Sequence, residues 1–257
     1  MNAQDFRNQN LLNYADYQRI CQKYSQVASF AYWVDNFVAT KYAAPDLLVN
    51  NETEFDERLK GNLQKGVAMI GLNFGARKKD KLYTEVMHSA QLPVAQRLAL
   101  RREINNLSNQ YAKKGAYRSM YPALDTYQAA PSVFKGAYMT DLFKFALDEK
   151  QAWIGAGIAT PEGRDLQQVL DGQPELIAEN IQGLKYELQT VVGMPERCIL
   201  VLMGGQVQGY AAQIKQAFPQ ALVLNFGHYS AYQFSHEQWL AKGEKLNATA
   251  LAGIANW

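Results

Sequence analysis

The sequence predicts an α/β domain of three layers, α/β/α, with a central four-stranded parallel sheet. Four short apolar runs alternate with segments of helical periodicity, and each run is almost unbroken by polar residues. Such runs are typical of parallel strands that are covered by helices on both faces. Because 257 residues are within the range that one hydrophobic core supports, we expect a single domain over residues 1–257.

The elements follow from local patterns. The predicted strands cover residues 67–72, 137–140, 198–203 and 221–226. Apolar residues at steps of three and four predict a long amphipathic helix over residues 12–43, within an N-terminal helical extension of about residues 1–64. A second helical stripe covers residues 176–191, and a helix after Gly204-Gly205 ends near Phe218. Ser235 to Gln238 has the pattern of a capping box and predicts the start of the last helix.

The composition excludes some classes of protein. No apolar run approaches the roughly 18 residues of a membrane span, and the first residues lack the basic and apolar regions of a secretory signal. We therefore expect a cytoplasmic protein without a membrane partner. The two cysteines, Cys21 and Cys198, are too few and too far apart for a metal cluster, so we expect no metal and interpret both as small buried apolar residues.

Positive charge is concentrated in one part of the chain, a predicted basic insertion of about residues 76–134. Residues 77–118 contain ten basic and three acidic residues, a net charge of +7, which leaves −5 for the remainder of a chain with a net charge of +2. This asymmetry is typical of a protein that binds a polyanion on one face. A solvated helix with scattered Lys and Arg explains this segment equally well on its own.

Polar residues and glycines follow each predicted strand. The first strand leads into GLNFG (71–75), the second into TDLFK (140–144), the third into LMGG (202–205) and the fourth into HYSAY (228–232). Ligands of parallel sheets bind beyond the carboxyl ends of the strands, so these are the candidate site residues. Each also has a structural interpretation: Asn73 as a turn residue, Asp141 as a helix cap and His228 as a structural histidine.

Several common nucleotide and hydrolase motifs are missing. The sequence has no GxGxxG dinucleotide motif, no P-loop and no GxSxG nucleophile motif. We therefore expect no cofactor. The same observation argues against a third interpretation, an unrelated α/β hydrolase or nucleotide-binding enzyme.

The order of the four segments resembles the uracil-DNA glycosylase superfamily. The resemblance covers about residues 66–233, and about a dozen positions carry it. It implies a uracil-DNA glycosylase-like fold and a monofunctional DNA N-glycosylase of base excision repair, which flips a damaged or deaminated base into a pocket and hydrolyses its N-glycosidic bond. DNA is then the expected partner. The oligomeric state does not follow from the sequence, although a monomer is the simplest expectation.

The resemblance also implies roles for individual residues. Asn73 matches the family residue that positions the attacking water, as in the amide-bearing branches, and His228 matches the histidine that bonds to the departing base. The residues implied in base binding are Gly71, Phe74, Asp141 and Tyr138. Those implied in DNA binding are Ser230, Tyr232, Arg77, Lys78, Lys144 and Gly205.

Three positions depart from the family pattern. Phe74 and Tyr229 replace two motif prolines, and Asp141 replaces the amide that reads the base. A carboxylate only accepts hydrogen bonds, so it would repel O4 of uracil and would suit adjacent donors such as N1–H and N2–H of a guanine-like base. Uracil would fit if burial kept Asp141 protonated. The alternative function is a non-catalytic member of the same fold that binds nucleic acid or a nucleobase.

Overall fold

The computed structural model describes residues 1–24, 28–32, 47–73, 132–143, 146–147, 153–154, 174–228 and 234–257. Its described strands, numbered along the chain, are β1 (Ser29–Phe30), β2 (Val67–Asn73), β3 (Tyr138–Phe143), β4 (Ala146–Leu147), β5 (Trp153–Ile154), β6 (Ile199–Met203) and β7 (Leu222–Phe226). The described helices are α1 (Ala3–Gln9), α2 (Tyr14–Tyr24), α3 (Glu52–Arg58), α4 (Glu175–Lys185), α5 (Gly205–Gln208), α6 (Ala211–Ala217) and α7 (His236–Ala255). A π-helix (Tyr186–Val191) continues α4.

Within the described ranges, the central sheet has five strands in the order β1-β3-β2-β6-β7. Strands β3, β2, β6 and β7 are parallel, which confirms the predicted α/β class and its four parallel strands. The sheet is larger than predicted, because β1 pairs antiparallel with β3 at its edge. Strands β4 and β5 form a separate two-stranded antiparallel pair.

Alternation along the strands divides the core into two clusters. In β2, Ala68 and Ile70 belong to one cluster together with residues of α2, α3, α4 and α6. Val67 and Met69 belong to the other cluster, together with residues of α1 and α7. Because successive side chains of a strand point to opposite faces, the two clusters lie on opposite faces of the sheet, here called the α4 face and the α7 face. Each fully buried large apolar side chain contributes on the order of 1.5–3 kcal/mol of transfer free energy.

The prediction of one long helix over residues 12–43 is wrong. Helix α2 ends at Tyr24, and the next described element is strand β1. The backbone N–H of Ala31 donates to Ala137 O at 2.8 Å, so this segment is held by the sheet rather than by a helix. Ala28 and Ala31 continue the helical spacing and are buried as the helical residues are, but they flank strand β1 and belong to no helix. Residues 33–46 lie outside the described ranges.

Two other element boundaries differ from the prediction in ways that affect the site. Strand β3 continues to Phe143 instead of ending at Thr140, so Asp141 is a strand residue and not a helix cap. The helix predicted after Gly204 is two helices, α5 and α6, with Gly209 and Tyr210 between them.

The last helix begins as predicted. The Ser235 hydroxyl accepts from the Gln238 backbone N–H at 3.2 Å, and the Gln238 side chain accepts from the Ser235 N–H at 2.8 Å, which confirms the capping box. Across the part of the chain that the structure describes, no helix is both long enough and apolar enough to cross a membrane.

Candidate functional site

The order of the parallel strands determines where a ligand can enter. The first parallel strand, β2, lies between the second, β3, and the third, β6. The order therefore reverses between β2 and β6. In open parallel sheets this reversal leaves a crevice at the carboxyl ends of the two strands, because the connecting segments leave toward opposite faces. The carboxyl-terminal ends of β2 and β6, here called the switch point, are the expected ligand site.

The side chain of Asp141 lies over the backbone of Gly71. The two residues are paired in the parallel register of β3 and β2. A Cβ built on Gly71 would overlap the Asp141 Oδ1 atom, so any side chain at position 71 would displace this carboxylate. Asp141 is half-buried. The carboxylate therefore extends from β3 toward the switch point and retains some contact with solvent.

The side chain of His228 packs in a similar way on Gly204. Gly204 directly follows β6 and has a φ of 103°, a conformation that favours glycine. A Cβ at Gly204 would come within 2.9 Å of the His228 Cβ and 3.5 Å of its Cγ. Burial lowers the pKa of His228 below its usual 6.5, so the imidazole is uncharged at neutral pH. An uncharged imidazole has one donor and one acceptor nitrogen.

The two side chains approach the switch point from opposite sides. Asp141 extends from β3 over the glycine of β2, and His228, which follows β7, packs on the glycine that follows β6. Strands β2 and β6 are neighbours, and neighbouring strands lie about 4.8 Å apart. The structure thus brings a carboxylate and a neutral imidazole to the two sides of the switch point.

Tyr138, which was expected in the base-binding set, does not join them. Its side chain points to the α4 face and is 0% exposed, and its hydroxyl donates to Glu187 Oε1 at 2.8 Å. Burial first, and the nearby Glu187 carboxylate second, raise the pKa of Tyr138 well above its usual value. Alternation along β3 explains the difference, because Asp141 is three residues further along and points to the other face. Tyr138 is a core residue.

The structure places the remaining predicted residues unevenly. Asn73 is the last residue of β2, so its backbone is at the switch point, but its side chain lies outside what the structure describes. Gly205 is exposed at the start of α5, and a Cβ there would meet no atom within 4 Å. The other predicted site residues lie outside the described ranges: Phe74, Arg77, Lys78, Lys144, Ser230 and Tyr232.

Two polar residues near this sheet were missed by the sequence reasoning. Gln208 of α5 donates from its side chain to Leu202 O and Phe226 O, at the ends of β6 and β7. Glu187 of the π-helix is buried and accepts from Tyr138 and from Thr140. The sequence did contain a signal for Glu187. It lies three residues after Leu184, which places this acidic residue on the apolar face of the predicted helix. Nothing in the sequence distinguishes Gln208 from other glutamines.

Among the described residues, the structure shows neither a reactive thiolate nor a metal site. Cys198 is buried and Cys21 is half-buried, and both are free. Burial raises the pKa of the Cys21 thiol to about 11 and that of Cys198 to about 12, so neither is a reactive thiolate at neutral pH. Within the described ranges, no group of three or more His, Cys, Asp and Glu residues is placed to hold a metal ion.

The fold and the switch point define the class of protein: an α/β protein with a largely parallel sheet and polar side chains at its carboxyl-terminal edge. No protein-family model, curated protein or solved structure matches the chain. Any function assigned to the chain therefore depends on its residues and their geometry.

Proposed function

We propose that this chain is a divergent DNA glycosylase-like protein, with a uracil-DNA glycosylase-like fold, that flips a damaged or deaminated base and hydrolyses its N-glycosidic bond. The observation that carries the proposal is the approach of Asp141 and His228 to the switch point over Gly71 and Gly204. Each of these four residues comes from a different one of the four segments whose order resembles the glycosylase superfamily. A nucleobase presents ring donors and acceptors, which a carboxylate and a neutral imidazole can bind.

The proposed chemistry uses an amide and an imidazole. His228 donates a hydrogen bond to an oxygen of the departing base and so stabilises the negative charge that develops there. The bond between C1′ and the base nitrogen breaks first, because the Asn73 amide cannot act as a general base. Water held by Asn73 then adds to the C1′ cation, and its released proton is taken up by the base anion. The products are a free base and an abasic site.

The basic insertion supplies the contacts to the phosphate backbone in this proposal. Flipping a base costs a few kcal/mol, an amount that an inserted side chain and a stacking aromatic can offset. Tyr232 is the proposed wedge residue, and Phe74 or an aromatic residue between Tyr117 and Tyr127 is the proposed stacking residue. Arg77, Lys78 and Lys144 are proposed to contact phosphates, together with Ser230 and the backbone at Gly205.

Release of a base is the experiment that tests this function. Single- and double-stranded oligonucleotides that each carry one modified base are incubated with the full chain, and abasic sites are detected by alkaline strand cleavage. We expect release from at least one of them. Asn73→Ala and His228→Ala should abolish release while DNA affinity, measured by fluorescence anisotropy, stays within about threefold, because neither side chain is proposed to bind phosphate. Release that persists in both variants would disprove the proposed roles.

A second candidate function is supported by one observation, the carboxylate at the position of the base-reading amide. A member of this fold with Asp141 could bind nucleic acid or a nucleobase without cleaving it. DNA binding without abasic sites on any substrate would favour this alternative. Asp141→Asn in the same panel tests the base preference: a variant that gains no activity on uracil would count against Asp141 as the residue that rejects it.

A further inference from the structure

We propose that Gln208 is the positioning residue that holds His228 against Gly204, by tying the end of β7 to the end of β6. The inference rests on the proposed function only for the role of His228 in catalysis.

The Gln208 side chain bonds to both strands. Its Nε2 donates to Phe226 O at 2.8 Å and to Leu202 O at 3.2 Å. Phe226 is the last residue of β7, and Leu202 is the penultimate residue of β6. The two hydrogens of one amide are thus divided between neighbouring strands, just where regular backbone pairing ends. Because both acceptors are backbone carbonyls, the amide constrains the main chain and not merely another side chain.

Phe226 and Gly227, which precede His228, are also held by contacts with other elements. The Gly204 N–H also donates to Phe226 O, at 2.9 Å, so this carbonyl accepts from two groups that follow β6. Only Gly227 separates Phe226 from His228, and a Cβ at Gly227 would come within 2.8 Å of the Trp239 ring. Gly227 is therefore packed against α7. With Phe226 held by Gln208 and Gly227 held by Trp239, the backbone delivers His228 to the surface of Gly204.

A structural role and a positioning role of Gln208 predict different effects when the residue is replaced. Loss of two hydrogen bonds alone lowers the stability of the fold and leaves the environment of the imidazole in the folded molecules unchanged. Loss of positioning lets the imidazole leave Gly204 and gain water. The burial that lowers its pKa is then reduced. The titration of His228 in folded protein separates these two roles.

The experiment compares Gln208→Met with Gln206→Met in the full chain. Methionine matches glutamine in length and has no N–H, and Gln206 is an exposed residue of the same helix, which makes it the matched control. The ring protons of His228 are followed by NMR as the pH is lowered, with assignment from a His228→Asn sample. We expect the His228 pKa to shift upward in Gln208→Met, toward the usual value of about 6.5, and to stay unchanged in Gln206→Met. An unchanged titration in folded Gln208→Met would overturn the proposal.

Gln208→Asn keeps the experiment decisive if the methionine variant does not fold. Its amide is one methylene shorter and cannot reach both carbonyls, so the same upward shift is expected, and its absence overturns the proposal. The titration requires no DNA, so it is informative even if wild-type protein releases no base and the proposed function fails. If base release is found, Gln208→Met should lower kcat by roughly 10- to 100-fold with little change in KM, as misplacement of a catalytic group does.

Discussion

At the scale of single residues, two glycines leave the space that two polar side chains occupy. Gly71 accommodates the Asp141 carboxylate, and Gly204 accommodates the His228 imidazole. Alanine in either place would add only one carbon, but that carbon would need space which the neighbouring side chain already fills. The glycines therefore contribute to the site by the absence of a side chain.

Gly71→Ala is expected to displace Asp141 and to disturb the site. The added methyl group overlaps Asp141 Oδ1, so the carboxylate must move, and because this atom ends a flexible side chain the cost should lie at the low end for overpacking, about 1 kcal/mol of unfolding free energy. Urea denaturation measures this loss, and base release should fall because the carboxylate moves. For stability, Gly205→Ala is the control, since a Cβ there meets no atom within 4 Å and should change the unfolding free energy by less than about 0.5 kcal/mol. Equal stability of the two variants would contradict this account.

The buried imidazole of His228 makes stability depend on pH. Its pKa in the folded protein is lower than in the unfolded chain, so the unfolded chain binds the proton more readily as the pH falls. This contribution to stability is fully present above about pH 6.5 and is lost as the pH falls toward the lowered pKa, with a slope of at most about 1.4 kcal/mol per pH unit. Urea denaturation between about pH 7.5 and 5 should show a steeper loss for wild type than for His228→Gln. Parallel curves of unfolding free energy against pH for the two proteins would show that His228 has the same pKa in the folded and unfolded chain.

At the scale of elements, the π-helix after α4 places an acidic residue inside the core. Glu187 is 0% exposed and accepts at 2.8 Å from both the Tyr138 hydroxyl and the Thr140 Oγ1. Both donors belong to β3, so this carboxylate joins the π-helix to the strand that carries Asp141. π-Helical segments are rare and often occur at functional sites. Here the wider turn contributes a polar link between a helix and the sheet.

Removal of this link is expected to destabilise the protein strongly. Glu187→Ala leaves two buried hydroxyls without their acceptor and opens a cavity, which together cost on the order of 2–5 kcal/mol. Glu187→Gln keeps an acceptor oxygen and should lose less. Thermal and urea denaturation provide the measurement, with Glu244→Ala on the exposed side of α7 as the control. If Glu187→Ala were no less stable than Glu244→Ala, the link would be unimportant.

At the scale of the whole molecule, charge is distributed unevenly along the chain. The basic stretch of residues 77–118 has a net charge of +7, while the rest of the chain is negative. A polyanion would bind mainly through that stretch, since the remaining surface repels it on average. Affinity for DNA should then fall steeply as salt is added, because binding releases counterions from the phosphates.

The salt dependence of DNA binding identifies which Lys and Arg side chains contact phosphates. The double variant Arg77→Gln/Lys78→Gln should reduce the slope of log K against log salt by roughly 0.7–0.9 for each phosphate that is no longer neutralised. The double variant Lys242→Gln/Lys245→Gln removes the same charge from exposed positions of α7 and should leave the slope unchanged. Binding to a fluorescent oligonucleotide at several salt concentrations measures both. Equal slopes for the two double variants would argue against the basic stretch as the DNA-binding surface.

The sequence by itself predicted the α/β class, the positions of the four parallel strands and the capping box of α7. These features depend on patterns within a few consecutive residues, and such patterns are readable without knowing what packs against them. The same local reasoning failed for the helix over residues 12–43. Strand β1 acquires its structure from β3, more than a hundred residues away, and no local pattern reports that pairing.

Only the tertiary structure decided which residues meet. Gly71 and Asp141 are paired across neighbouring strands, although they lie 70 positions apart in the chain, and the same pairing directs Tyr138 into the core instead of the site. Gln208 similarly bonds to Phe226, 18 residues further along the chain. Strand order and register are set by packing of the whole sheet, since a shift of one residue would exchange its two faces. The composition of the site therefore depends on contacts between distant residues that local sequence patterns do not encode.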